Sequence, residues 1–214
     1  MTTDTIGFSA IVLAAGTSSR MQGAHKLLLP VGEEPVIRRT VRAVLDAGPQ
    51  ELVVVTGYRE AAVRDALAGL PVRLQANRAF EDGQMSSVAA GVAALTQATD
   101  AVMVCLGDMV LLTGDDYREL VRAFAALRDQ SILVPQFQGQ RGNPVVIAQW
   151  HLPQLLAGQR NLGCRKLVAD YPQEVFAYEA AHDRFVSDMD TPQDYERILR
   201  RLESAGGSAQ GQIA

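Results

Sequence analysis

Short apolar runs alternate with amphipathic stretches along most of this chain. The runs at 9–13 (SAIVL), 51–56 (ELVVVT) and 101–106 (AVMVCL) are nearly continuous in apolar residues and rich in β-branched ones. Such runs predict strands that are buried on both faces, as in parallel sheets covered by helices. We therefore predict an α/β fold: a single-domain, Rossmann-like three-layer α/β/α sandwich with a mostly parallel sheet.

The same periodicities predict the remaining elements. Further strands are expected at 72–75, 131–134, 144–147, 175–178 and 185–186. Helices are expected at 34–47, 59–67, 84–95, 115–127 and 192–202. The chain has 214 residues, which suits one domain, and we assign it to 1–203. The segment 204–214 is rich in Gly, Ser, Ala and Gln and is expected to form a disordered tail.

Composition excludes several classes of function. The formal net charge is −4, whereas proteins that hold nucleic acid are usually basic, so we expect no nucleic-acid partner. No apolar run approaches the ~20 residues of a membrane span, and the N-terminus lacks a signal-peptide pattern. Cys105 and Cys164 have no metal-ligand or CxxC spacing, which suits reduced thiols in a cytoplasmic protein.

The unusual residues follow the predicted strands. Parallel sheets bind ligands beyond the carboxyl ends of their strands, so the loops after Leu13, Thr56, Gln75 and Leu106 are expected to share one rim. The first of these loops is the most suggestive. It contains Leu13, Ala14, Ala15, Gly16, Arg20 and Lys26. Its small residues let a backbone approach an anion and its two cations suit phosphate, but an ordinary polar loop has the same composition.

The later loops carry further polar candidates. Asn77 follows the third strand, and Gly83 opens a helix that contains Ser86 and Ser87. The two hydroxyls suit either helix capping or a ligand contact. Gly107 and Asp108 follow the fourth strand, where an aspartate serves about as often as a turn former as it does as a magnesium ligand.

These motifs, in this order, resemble the signature of the molybdenum-cofactor nucleotidyltransferases, within the wider glycosyltransferase-A-like nucleotidyltransferases. The matching segments are LAAG at 13–16, GQMSS at 83–87, GDM at 107–109, RGNP at 141–144 and DMDTP at 188–192. Ala15 matches the cytidylyltransferase branch, since the guanylyltransferases usually have glycine there. Val110 departs from the family, which commonly has proline at that point. The resemblance implies a nucleotide-diphospho-sugar-transferase-like fold.

The resemblance also implies an activity: transfer of CMP from CTP to the terminal phosphate of molybdenum-bound molybdopterin, with release of pyrophosphate. By the same resemblance, Arg20, Lys26 and Asp108 are catalytic, and the loops named above bind the nucleotide. Asp108 and Asp190 are expected to hold Mg²⁺ or Mn²⁺, with Asp188 as a direct or water-mediated third ligand. Arg141 and Asn143 are expected to contact the acceptor, and a molybdenum hydroxylase or its maturation chaperone is the expected protein partner.

Two other readings of the sequence stay open. One is a nucleotidyltransferase that uses GTP, or one with a sugar- or alcohol-phosphate acceptor. Ala15 and the 188–192 motif favour the cytidylyltransferase over it. The other is a non-catalytic protein that binds and delivers a nucleotide or cofactor. Two metal-binding carboxylates favour turnover over binding alone. His25, His151 and His182 lack zinc-ligand spacing, so we assign them no catalytic role.

Overall fold

The computed structural model describes residues 6–156 and 164–209. Its strands are β1 (Phe8–Ala14), β2 (Pro30–Val31), β3 (Glu34–Pro35), β4 (Glu51–Thr56), β5 (Arg73–Ala76), β6 (Ala101–Leu106), β7 (Ile132–Phe137), β8 (Gln140–Arg141), β9 (Val145–Ala148) and β10 (Val175–Glu179). Its helices are α1 (Val36–Asp46), α2 (Glu60–Ala66), α3 (Gln84–Ala94), α4 (Gly114–Ala125), α5 (Leu152–Leu156), α6 (Cys164–Asp170) and α7 (Pro192–Ala209).

One large sheet organises the domain. Its strand order is β10-β7-β9-β6-β1-β4-β5, and β8 pairs with β7 beside this path. The pairs β1–β4, β1–β6, β4–β5 and β7–β10 are parallel, whereas β9 is antiparallel to both β6 and β7. The predicted mostly parallel sheet is therefore confirmed, with β9 as the reversed strand within it.

Helices cover both faces of this sheet. The alternate β1 residues Ala10, Val12 and Ala14 belong to one apolar cluster, into which α1, α2, α4 and α7 pack. Ile11, from the opposite face of β1, belongs to a second cluster formed with α3, α5 and α6. Burial of β1 on both faces explains why its sequence is apolar apart from the buried Ser9, and the predicted three-layer sandwich is confirmed. Within the described residues, no helix combines the length and hydrophobicity that a membrane span needs.

The strand register brings the functional loops to one edge. Leu13 of β1 lies opposite Leu106 of β6, and Ala14 lies opposite Thr56 of β4. Thr56 lies in turn opposite Ala76 of β5. Because these four strands are parallel and end at the same level, the loops that follow them share a rim, as the sequence predicts.

Helix boundaries differ from the prediction where local chemistry intervenes. Residues 34–35, predicted as helical, pair with Pro30 and Val31 in a two-stranded sheet, so α1 begins at Val36. Helix α4 begins at Gly114 because Thr113 and Asp116 form a reciprocal capping box. The helices α5 and α6 were not predicted, since each is too short to show a clear period.

Two predictions at the C-terminal end are wrong. The strand predicted at 185–186 is part of a 3₁₀ turn, Asp183–Val186, because Ser187 Oγ donates a hydrogen bond to the Asp183 carbonyl at 2.8 Å and so tightens the turn. The last helix passes its predicted end at 202 and continues to Ala209. Each residue that extends an existing helix adds a hydrogen bond. A helix can therefore continue through residues that form helices poorly on their own. The tail predicted from 204 is thus helical to Ala209, and 210–214 lie outside the described residues.

Candidate active site

An open cleft of ≈ 640 Å³ lies at the rim formed by the carboxyl ends of β1 and β6. The first loop, the start of α3, the turn after β6 and the segment 188–190 supply its walls. Among the predicted nucleotide-binding residues, those lining the cleft are Leu13, Ala15, Gly16, Arg20, Lys26, Gly83, Ser87, Gly107 and Asp108. Residues separated by more than 160 positions in sequence thus surround one space.

A charged cluster occupies one side of the cleft. Lys26 Nζ donates hydrogen bonds to Asp108 Oδ2 and, at 2.8 Å, to Asp190 Oδ1. Arg20 Nη2 lies 2.8 Å from the other carboxylate oxygen of Asp190. The backbone of Lys26 is held as well, because its N–H donates a hydrogen bond to Ser18 Oγ at 3.2 Å. Three predicted catalytic residues and the predicted second metal ligand therefore form one network.

Electrostatics within this cluster favour the charged lysine. Burial on its own would lower the pKa of Lys26, but the carboxylates of Asp108 and Asp190 outweigh burial, and the pKa is raised. Asp188 lies beside the same acids. Its burial, together with the negative charges of Asp108 and Asp190, raises the pKa of its carboxyl. The site thus concentrates three carboxyl groups around one ammonium and one guanidinium.

The start of α7 leaves the Asp190 side chain available to the cleft. The sequence allows either Asp190 or Thr191 as the helix cap, and the structure uses Thr191, whose Oγ1 accepts from the Asp194 N–H at 3.2 Å. Asp194 Oδ2 in turn accepts from the backbone N–H groups of Asp190 and Thr191, at 3.2 and 2.9 Å. The cap fixes the backbone of Asp190 while its carboxylate faces Lys26.

Asp108 and Asp190 fit a divalent cation. Asp108 Oδ1 is buried and has no hydrogen-bond partner, although its companion Oδ2 contacts Lys26. An orphaned buried carboxylate oxygen is costly, and carboxylate oxygens are the ligands that Mg²⁺ and Mn²⁺ prefer. Within residues 6–156 and 164–209, no group of three or more His, Cys, Asp or Glu side chains converges as a complete metal site. A cation here would need further ligands from a substrate or water.

Glycines at the rim allow close backbone approaches. A Cβ on Gly107 would lie 2.9 Å from the Leu13 carbonyl oxygen, which already accepts the Gly107 N–H at 3.0 Å. Glycine therefore lets the loop bearing Asp108 close against the end of β1. Gly83 precedes α3 at φ +99°, in the left-handed region that favours glycine.

Three predicted nucleotide-binding residues lie outside the cleft lining. Ala14 is fully buried in the core. The Asn77 amide donates to Ser86 Oγ at 2.8 Å and to Ser87 Oγ at 3.0 Å. Ser86 Oγ donates to the carbonyls of Ala79 and Gly83, both at 2.8 Å. In this structure Asn77 and Ser86 bind each other and fasten the loop after β5 to helix α3, whereas Ser87 reaches the cleft.

The predicted acceptor residues line a second, smaller cavity. Arg141 and Asn143 border an annex of ≈ 280 Å³ that shares Asp188 with the main cleft. Between them, Gly142 lies against the Phe185 carbonyl with no space for a Cβ, and the Asn143 N–H donates to that carbonyl at 2.9 Å. Burial lowers the pKa of Arg141, and the nearby positive charge of Arg165 acts in the same direction.

Arg165 is the main residue that sequence reasoning missed. It lines both the cleft and the annex, from the first turn of α6. Its local sequence, GCRKL, resembles none of the motifs used above and offers no signal that separates it from other exposed arginines. It reaches the site only because Cys164 and Leu167 of α6 pack into the apolar cluster that also holds residues of α3 and β9.

The sheet, the rim and the charged cleft are those of the nucleotide-binding Rossmann-like α/β proteins. Comparison with known families is more specific. The model of the MobA-like NTP transferase domain matches residues 10–175, and this chain belongs to that family. The fold and the family together make it a nucleotidyltransferase.

Individual relatives carry different names. The bifunctional protein GlmU of Rhodospirillum rubrum is 33% identical over 131 residues, covering 61% of this chain but 29% of GlmU. The chain thus spans less than a third of the curated GlmU proteins that it matches. Purine catabolism protein PucB of Bacillus subtilis is 27% identical over 203 residues, covering 90% of this chain and 96% of PucB. A solved nucleotidyl transferase from Methanothermobacter is 27% identical, with a TM-score of 0.79, covering 93% of this chain and 99% of that one.

Proposed function

We propose that this nucleotidyltransferase transfers CMP from CTP to the terminal phosphate of molybdenum-bound molybdopterin, forming the molybdopterin cytosine dinucleotide cofactor. The observation that carries the proposal is the meeting of Lys26, Asp108 and Asp190 at one side of the rim cleft. That cluster supplies a cation for phosphate and two carboxylates for a metal ion. The motifs that resemble the molybdenum-cofactor enzymes supply the acceptor.

The reaction needs positioning and charge neutralisation more than proton transfer. An oxygen of the acceptor phosphate attacks the α-phosphorus of CTP in line, the new P–O bond forms, and the bond to the departing pyrophosphate breaks. A phosphate monoester is largely ionised near pH 7, so no general base is required. Lys26 faces the α-phosphate in this scheme. Arg20 and the amides of the first loop hold the β- and γ-phosphates.

Asp108 and Asp190 would hold Mg²⁺ or Mn²⁺, with Asp188 adjoining them. When bound, such an ion neutralises phosphate charge and orients the phosphates. The carboxylates must be ionised to hold it, and Lys26 keeps them paired with a positive charge when no ion is present. Arg20, which contacts the outer oxygen of Asp190 and is largely exposed, is free to turn toward the pyrophosphate end of CTP.

The choice of CTP rests on Ala15. Its side chain is buried at the cleft wall, where its methyl group takes up space that glycine would leave to the base. A smaller space suits a pyrimidine better than a purine. The acceptor is assigned to the annex, where Arg141 and Asn143 lie next to the cleft and within reach of its phosphate end. Asp188, which lines both spaces, marks the junction at which the two phosphates would meet.

The proposal is tested by supplying the purified protein with Mg²⁺, molybdenum cofactor and each of CTP, GTP, ATP and UTP in separate reactions, and measuring pyrophosphate. We expect pyrophosphate only with CTP, and only when the cofactor is present. The Ala15→Gly variant serves as a matched probe and is expected to gain GTP use. Release with GTP alone in the wild type would overturn the CTP assignment. Release with CTP and a sugar phosphate, without molybdenum cofactor, would overturn the acceptor.

A further inference from the structure

Gly57 marks an unusually tight contact at the cleft wall. It follows β4 at the rim, and a Cβ placed on it would lie 2.8 Å from Ala15 Cβ and 2.8 Å from Phe80 Cβ. The same atom would lie 2.9 Å from Phe80 Cγ. Real Cβ atoms essentially never make contacts this short. Ala15 and Phe80 therefore approach each other across Gly57 only because residue 57 has no side chain.

The segment bearing Phe80 is firmly held. Phe80 begins a 3₁₀ turn, Phe80–Asp82, and is half-buried. The preceding residue, Ala79, donates its N–H to Asn77 Oδ1 at 2.9 Å, and its carbonyl accepts from Ser86 Oγ at 2.8 Å. These hydrogen bonds to Asn77 and Ser86 fix the backbone that precedes Phe80.

The opposite side of the first loop is fastened to the same wall. The Tyr58 N–H donates to the Ala15 carbonyl at 3.2 Å, directly after Gly57. Tyr58 also stacks on His25, with ring centroids 5.5 Å apart and planes 5° apart. The loop that carries Ala15 is therefore tied to the segment 57–58, and Ala15, Gly57 and Phe80 behave as one unit.

This unit lies in the apolar part of the cleft. Ala15 and Phe80 both line it, whereas the charged residues that suit phosphates, Lys26, Asp108 and Asp190, form a separate cluster. A nucleoside triphosphate placed with its phosphates on that cluster would extend its base toward the apolar part. Bases stack on aromatic rings, and alanine substitution of one such ring typically weakens binding by about five- to 150-fold.

We propose that Phe80 binds the nucleobase and, with Ala15, limits the space open to it, while Gly57 is a positioning residue that sets the separation between these two. The inference rests on the proposed function in one respect only: that the cleft binds a nucleoside triphosphate. It adds two residues, at 57 and 80, that the motif comparison does not identify. It does not depend on the identity of the acceptor.

The test is equilibrium binding of CTP, GTP and inorganic tripolyphosphate, with Mg²⁺, by isothermal titration calorimetry. Tripolyphosphate has no base, so it reports on the phosphate end alone. Phe80→Leu keeps an apolar side chain and removes the ring. It is expected to weaken CTP binding about tenfold, within the range of one stacking contact, and to leave tripolyphosphate binding unchanged. Phe80→Tyr keeps the ring and is expected to stay within about twofold of the wild type.

Gly57→Ala tests the positioning role. The added methyl group must displace Phe80 or Ala15, so CTP binding is expected to weaken and the ratio of CTP to GTP affinity to change, again with tripolyphosphate binding retained. Phe124→Leu, on helix α4 away from the cleft, is the matched control and is expected to bind all three ligands as the wild type does. Thermal unfolding of each variant confirms that it is folded.

The outcomes separate the inference from the proposed function. Wild-type-like CTP binding by Phe80→Leu would overturn the base contact even if the enzyme uses CTP. Equal loss of tripolyphosphate and CTP would also overturn it, because the effect would then lie at the phosphates. A wild type that prefers GTP, with Phe80→Leu weakening GTP, would support the contact and overturn the CTP assignment. A wild type that binds every nucleotide no more tightly than tripolyphosphate would overturn both the base contact and the proposed function.

Discussion

Lys26 holds one oxygen of each carboxylate that a divalent cation would use, so lysine and metal should compete. In the absence of nucleotide, a metal ion can use the free Asp108 Oδ1, but it must displace Nζ from Asp190 Oδ1. Lys26→Met keeps a chain of similar length and removes this competitor. We therefore predict that a variant that loses activity binds metal more tightly than the wild type.

The magnitude follows from the contacts. A hydrogen bond to a charged group contributes about 1.5–3 kcal/mol net. The side chains of Lys26, Asp108 and Asp190 are 17%, 7% and 23% exposed, so the cluster is shielded from water but not sealed. Taking one such bond at the low end of that range gives about 1.5 kcal/mol, or roughly tenfold tighter binding of Mn²⁺.

The assay is a titration of nucleotide-free protein with Mn²⁺, in which free Mn²⁺ is followed by electron paramagnetic resonance. Lys166→Met is the matched control. It removes the same charge from an exposed lysine that pairs with Asp170 at 2.7 Å, one helical turn away on α6, and it should leave Mn²⁺ affinity unchanged. Mn²⁺ should also raise the unfolding temperature of Lys26→Met more than that of the wild type, since Asp108 then lacks its counter-ion and Asp190 keeps only Arg20. Unchanged or weaker Mn²⁺ binding by Lys26→Met would contradict this competition.

Three further variants test other parts of the account. Asp108→Asn keeps the shape of the side chain, and the rate of pyrophosphate release should fall about a hundredfold or more. Thermal unfolding should show that the variant is folded. Near-normal turnover would contradict the metal role of Asp108. Gly91→Ala places a Cβ 2.5 Å from Ile11 Cγ2 and 3.0 Å from Val55 Cγ2. The free energy of unfolding, measured with denaturant, should therefore fall by about 1–3 kcal/mol. An unchanged free energy of unfolding would show that α3 can shift away from the sheet. Thr113→Ala removes the cap of α4 and should cost about 1 kcal/mol in the same assay, and an unchanged midpoint would argue against the capping box.

Much of the fold is legible in the sequence because its central strands are buried on both faces. The run from Phe8 to Ala14 is apolar apart from Ser9, and its predicted position between helices on either side agrees with the structure. The shared rim follows from parallel strand direction alone. The antiparallel direction of β9 could not be predicted, since an apolar run such as VVIA has no intrinsic direction and only the path of the intervening chain decides it.

The sequence predicts those site residues that lie in recognisable motifs. It does not predict the ones that only long-range packing brings to the cleft. Lys26 and Asp108 follow recognisable segments, but their direct pairing depends on the closure of two loops across Gly107. For Ser86 the sequence allows a structural bond or a ligand contact, and the structure shows bonds to backbone carbonyls. Arg165 and Phe80 reach the cleft from segments without a distinctive pattern, so only the folded chain reveals them.

In the proposed reaction, the α-phosphate of CTP moves to a molybdopterin phosphate. Its decisive test is to give the protein CTP that is radiolabelled at either the α- or the γ-phosphate, with Mg²⁺ and molybdenum cofactor, and to separate the products. We expect the α-label in a dinucleotide form of the cofactor and the γ-label in pyrophosphate. An α-label that stays in CTP, or is recovered only as free CMP, would rule this transfer out.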